Sequence, residues 1–217
     1  SWFWCGRVSL RTPQNRVIEA SNGMSVGPTV DSKIRVDPSR GDEGAGSSPS
    51  VAPEDVAATR DEIRHLASEI AGLSELEISP TEFCGEFLQR VVAALASIAG
   101  AVWLLDREGK LAPVAQINLD AMMTTEFERE HLRILTSAME SRGPQSVPPQ
   151  FAGPDKAWHN PSEQLLILVP LRVNGNVKGV VEVFQRAHRG PATERGYVRF
   201  LTQLTALACA YFNRRAR

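Results

Sequence analysis

The side chains able to carry covalent, acid–base or metal chemistry are few and scattered: Cys5, Cys84 and Cys209, with His65, His131, His159 and His188. No two of these histidines stand four apart, as paired ligands on one helix face would, and the cysteines lack CxxC spacing. No G-x-S-x-G, phosphate-binding loop, H-E-x-x-H or dinucleotide fingerprint occurs. Cys84 has no His, Lys or Arg neighbour in sequence placed to hold a thiolate, so it reads as a small buried hydrophobe. These residues predict a chain that is not an enzyme and holds no metal, and they name no cofactor.

Binding chemistry is better represented. DKAWHNPSEQ sets Trp158, His159 and Asn160 side by side, giving one aromatic face and several hydrogen-bonding groups on a loop able to cover a cavity. Trp103 and Gln116 on a predicted hairpin, His131 on an apolar helix stripe and Glu182 within an apolar strand complete the candidate ligand contacts. Each has a plainer role available. Trp158 can plug the core edge, His131 can be hydrogen-bonded core packing, and Glu182 can sit exposed or salt-bridged near a sheet edge.

Composition narrows the partners. The 217 residues hold 24 basic and 25 acidic side chains, a net charge of −1, so no global field draws the chain toward nucleic acid or anionic lipid. An odd number of widely spaced cysteines fits a reducing, cytoplasmic setting. No apolar run reaches the roughly 18 to 20 residues of a membrane span, so no direct membrane insertion is expected.

The elements that must position the candidates follow from periodicity. Residues 1–53 are rich in Gly, Ser, Pro and Asp without a sustained period and predict a disordered arm, with Trp2, Phe3 and Trp4 as an aromatic cluster inside it. A domain spans 54–213, and 214–217 form a basic tail. Val56, Ile63, Leu66, Ile70 and Leu73 recur at heptad spacing, fitting either a helix packed on its own domain or the seam of a homodimer. Ser79 and Glu82 form a capping box with Pro80 at the first helical position, opening a core helix. AVWLLD and LAPVAQIN form a hairpin, and Thr125 with Glu128 caps a helix that ends near Gly143-Pro144. A proline-rich loop of more than twenty residues follows, with one short strand at SVPP. LLILVPLRV and KGVVEVFQR, joined at Asn174-Gly175, are apolar on both alternating sets, so their sheet carries protein on both faces. The closing helix ERGYVRFLTQLTALACAYFNRRAR completes an α+β order.

In FLQRVVAALASIAG, AVWLLD, VPLRVNGNVKGVVEV and RGYVRFLTQLTALACAYF the chain resembles the GAF domain family over about residues 54–213, with Pro170 and Gly179 marking its hairpin. The resemblance implies a central antiparallel sheet, a helix bundle on one face and a pocket roofed by helices and loops on the other. It implies a regulatory module that binds a small molecule or dimerises to signal to an attached or partner module. The sequence lacks the Asn-Lys-Phe-Asp-Glu set of cyclic-nucleotide-binding members, a bilin-attachment cysteine in the covering loops and the cysteine set of sulfoxide-reductase members. FLQRVVAALA, GAVWLL, QINLD, GVVEVFQR and RGYVRFL further resemble GAF modules that precede a membrane-fusion adaptor in some bacterial secretion proteins. Two readings remain open: a sensor with a cavity bordered by Trp103 or Trp158, Gln116, His159 and Asn160, and a ligand-free scaffold in which those groups collapse onto one another.

Overall fold

The computed structural model describes residues 53–141, 143–187 and 191–216. The 1–53 arm therefore lies outside the described residues except for Pro53, which opens the first helix. Among the described residues four α-helices, α1 (Pro53–Glu75), α2 (Pro80–Ala94), α3 (Thr125–Glu140) and α4 (Pro191–Arg215), surround five strands. The strands are β1 (Ala99–Leu105), β2 (Leu111–Ile117), β3 (Gln145–Val147), β4 (Gln164–Val173) and β5 (Asn176–Arg186), in the order β2-β1-β5-β4-β3 with every pair antiparallel.

Alternation along the central strands divides the interior into two layers. Ile167, Val169, Val181 and Val183 face α1, α2 and α4 with Phe83, Phe87 and Tyr211. Leu166, Leu168, Val180 and Phe184 face the opposite way, toward Phe127, Ile134 and Leu135 of α3. The two-sided burial expected for LLILVPLRV thus has helices as its cause on both sides. At the β4–β5 turn Asn174 and Gly175 take φ of 50° and 81°, the paired left-handed values of a type I′ turn. Gly179 is required for a different reason: a Cβ there would stand 2.0 Å from the Trp103 carbonyl oxygen, so only glycine lets β5 lie against β1 beside its bulge.

The helix starts are set by side-chain oxygens. Ser79 accepts the Glu82 N–H at 3.2 Å with Pro80 next to it, as the sequence suggests. α3 is capped one residue earlier than expected: Thr124, not Thr125, accepts the Phe127 N–H. Both threonines could cap, and the one left in extended backbone does so.

The heptad stripe is divided between two environments. Ile70 is fully buried and Leu73 nearly so within this chain's own core, while Leu66 packs on its margin and Ile63 is 38% exposed. The side chain of Val56 lies outside the described set. Ile70 and Leu73 therefore turn into the chain's own core, as the first of the two readings has it, while Ile63 and Leu66 stay toward the surface. α1 and α4 run in the same direction, for Ile63 and Leu66 stand beside Thr193–Phe200 while Ile78, just after α1, meets Tyr211 and Arg215.

That last contact fastens the helical layer. The Tyr211 hydroxyl donates to the Ile78 carbonyl at 2.6 Å, its ring stacks on Phe83 with centroids 3.9 Å apart, and Arg215 donates to the same carbonyl at 3.1 Å. Arg214 and Arg215 therefore complete α4 instead of forming a separate tail. Burial pushes the Tyr211 phenol above its ordinary value, more than Arg215 pulls it down. The folded chain holds that proton more tightly than the unfolded one, so the stabilisation is complete below about pH 10 and is lost as pH rises through the raised value.

Two outcomes follow. Ile70→Asp puts an unpaired charge in the core and should remove about 5 kcal/mol or more, abolishing cooperative thermal unfolding, whereas Ile63→Asp should leave the transition intact. Urea titrations across alkaline pH should show stability falling from about pH 10, and Tyr211→Phe should flatten that fall while lowering neutral-pH stability by about 1 kcal/mol.

Candidate functional site

The α3 face of the sheet carries one buried acid. Glu182 sits in the middle of β5, a central strand, opposite Ala101 on one side and Leu168 on the other, and is fully inaccessible. It is thus neither exposed nor near a sheet edge. Trp103, two residues beyond Ala101 and so on the same face, donates Nε1–H to Oε2 of Glu182 at 3.0 Å. His131 comes down from α3 and places Nε2 2.7 Å from Oε1. The indole N–H can only donate, so Oε2 is the acceptor of its bond, while the donor in the His131–Glu182 bond follows from the imidazole tautomer. The imidazole is stacked on Phe127 at 4.7 Å and meets the Trp103 indole edge-on at 5.4 Å. Phe127 and His131 stand at i and i+4, so one helix face supplies both the ring support and the hydrogen-bonding imidazole.

A second group of candidates organises the covering loop. Trp158 is buried and lies over Gly153, where a Cβ would come within 2.3 Å of the indole. The Gly153 N–H donates to the Trp158 carbonyl at 2.8 Å, the Asn160 N–H to the Phe151 carbonyl at 2.9 Å, and Ala152 bridges His159. Asn160, fully buried, donates Nδ2 to the carbonyls of Val147, Pro148 and Gln164 at 3.3, 3.0 and 2.9 Å. Its Oδ1 accepts from the Ser162 N–H and hydroxyl. An amide so fully engaged holds the loop and offers nothing further to a ligand. His159 is clipped to α3: its N–H donates to Glu130 at 3.1 Å, and its ring nitrogens lie 3.5 Å from Glu126 and 3.6 Å from Glu130.

Gln116 lies elsewhere, on β2 along a cleft against α2. The seven ligand candidates thus fall into a sheet cluster of Trp103, His131 and Glu182, a loop cluster of Trp158, His159 and Asn160, and an isolated Gln116. Glu126 and Glu130 escaped the sequence reading. Their i, i+4 spacing on the face that carries no apolar residue was the available signal, but it reads equally as a solvated helix side.

Among the described residues no group of three or more His, Cys, Asp and Glu is placed to hold a metal ion, and no helix is long and apolar enough to cross a membrane. Cys84 is buried. Cys209 takes the Arg172 N–H on its sulfur at 3.3 Å, and burial pushes its thiol up, away from thiolate chemistry.

No family model and no curated protein matches the sequence. The fold does have counterparts among solved structures. The GAF domain of A. aeolicus nlh2, in an inactive state, superposes with a TM-score of 0.56 at 18% identity, covering 72% of this chain and 99% of its own. The GAF domain of a sensor histidine kinase from Pseudomonas syringae pv. tomato gives 0.54 at 15% identity, covering 76% and 94%. The free methionine-R-sulfoxide reductase of Neisseria meningitidis, solved in complex with its substrate, gives 0.53 at 19% identity, covering 77% and 96%. The chain therefore has a GAF-like α+β fold.

The sheet cluster makes a measurable demand on stability. Glu182→Ala leaves Trp103 and His131 without their hydrogen-bond partner inside a closed core and should cost about 3–5 kcal/mol in urea unfolding followed by tryptophan fluorescence. Glu182→Gln retains an acceptor and should cost less than half as much.

Proposed function

We propose that this chain is a non-catalytic regulatory module of GAF type that acts as an interaction scaffold, with the sheet face under α3 closed by its own side chains. The observation that carries this reading is the engagement of Glu182 at both carboxylate oxygens, by Trp103 and His131. A small molecule entering beneath α3 would have to break two buried hydrogen bonds and displace stacked rings before making contacts of its own. The loop cluster supports the same conclusion, because Trp158 and Asn160 are engaged within the loop.

Signalling then runs through the helical layer. Ile63, Leu66, Ala93, Ala94, Tyr197 and Phe200 line an apolar groove of about 640 Å³ between α1, α2 and α4, and self-association is assigned to that groove. Among the described residues Cys84 is buried and Cys209 partly so, with no disulfide between them, which accords with the reducing cytoplasm as the setting. A position ahead of a membrane-fusion adaptor draws its support from the sequence segments alone.

Thermal shift across a metabolite panel, paired with light scattering, tests the proposal. We expect no compound to raise the melting temperature by more than about 1 °C, and a dimer mass that Ile63→Asp reduces to that of a monomer. A compound that raises it by several degrees in the parent and not in Glu182→Gln would make the α3 face a receptor pocket and overturn the scaffold reading.

A further inference from the structure

One flank of the sheet is left open beside a helix. β2 ends the sheet, paired with β1 on its inner side and with no strand on its outer side among the described residues. Next to it lies a cleft of about 350 Å³, lined from α2 by Glu82, Gly85 and Glu86 and from β2 by the consecutive residues 114–117. Successive strand residues point to opposite faces, so a cleft touching four in a row follows the outer edge of the strand instead of lying over one face. Pro113 has no N–H to offer, and the cleft begins just after it.

Gly85 shapes the opposite wall. A glycine within a helix costs about 0.5–1 kcal/mol relative to alanine, so its presence in the middle of α2 has to answer to something. Crowding is not the reason, for a Cβ at this position would meet nothing within 4 Å. The effect of Gly85 is to lower the wall where it faces β2, leaving room for another backbone to pass. The charged lining is acidic only: Glu82 and Glu86, the latter held at 2.6 Å by Arg90, which lies outside the cleft. Leu88, Ala115 and Ile117 give an apolar floor.

We propose that this cleft is a strand-addition site for an extended, basic segment of a partner protein. The segment hydrogen-bonds to the outer edge of β2 and lies against Gly85, its apolar residues on the floor and its lysines or arginines toward Glu82 and Glu86. Charge sets the partner's chemistry, the open edge sets its extended conformation, and the missing side chain on α2 admits it. The site is distinct from the α3 face and stands whether or not that face is closed.

The test is fluorescence anisotropy of a fluorescein-labelled nonapeptide alternating lysine and valine, titrated with the full chain, beside a counterpart alternating glutamate and valine. The lysine peptide should bind at least about tenfold more tightly than the glutamate peptide. Gly85→Phe, whose Cβ enters open space and whose ring occupies the cleft, should weaken the lysine peptide by at least about tenfold while the chain keeps a cooperative thermal transition. Glu82→Lys should weaken the lysine peptide, and Glu182→Gln should leave it unchanged. Equal affinity for the two peptides, indifference to Gly85→Phe, or no binding of the lysine peptide at millimolar concentration would overturn the proposal. So would a dimer of the unliganded chain that Gly85→Phe dissolves, since the occupant would then be a second copy.

Discussion

The carboxylate of Glu182 is the constraint around which this molecule is arranged. An ionisable group in the centre of a sheet covered on both faces is costly unless its oxygens are hydrogen-bonded, and the two groups that engage it come from different elements. Trp103 ties it to β1 and His131 ties it to α3. The approach of α3 to the sheet is thereby set by directional bonds as well as by the apolar contacts of Phe127, Ile134 and Leu135. Apolar packing alone would tolerate a helix sliding by a fraction of a turn, whereas a 2.7 Å bond to a fixed carboxylate does not.

The two faces of the sheet have different characters for this reason. Toward α1, α2 and α4 the interior is mostly hydrocarbon, with polar fastenings that include the Tyr211 hydroxyl on the Ile78 carbonyl and the Gln185 amide on the Leu95 carbonyl and Ser97 hydroxyl. Toward α3 it is an aromatic and hydrogen-bonded layer, continued outward by the loop that Asn160 and His159 hold down. Polar groups in that layer fix geometry more than they add stability, since their gain on folding is offset by the water they give up.

Much of this was legible in the sequence, and the parts that were not share a cause. The α+β order, the Ser79 cap, the Asn174-Gly175 turn and the double-sided burial of β4 and β5 follow from local periodicity and turn chemistry, which need no knowledge of what lies across the fold. Glu182 could be suspected of a polar environment, but its partners stand 79 and 51 residues away, and no local pattern reports such distances. Trp158, His159 and Asn160 looked like one site because they are adjacent. In the structure their side chains serve three different anchors, Gly153, the α3 glutamates and the strand carbonyls. The heptad stripe left two readings open for a related reason: spacing identifies an apolar face without saying whether the helix opposite it belongs to the same chain. Thr124 and Thr125 were indistinguishable by residue type, and only backbone conformation separates them.

The shared direction of α1 and α4 has a mechanical meaning. A polypeptide that enters along the first of these helices and departs along the last crosses the module lengthwise, so its ingress and egress lie at opposite poles. Near one pole Tyr211 and Arg215 of α4 hold the Ile78 carbonyl, in the segment through which the chain leaves α1, so the two co-aligned helices are tied where one of them ends. A hairpin arrangement would bring both ends of the helix pair back to one side, while this one sets them a helix length apart.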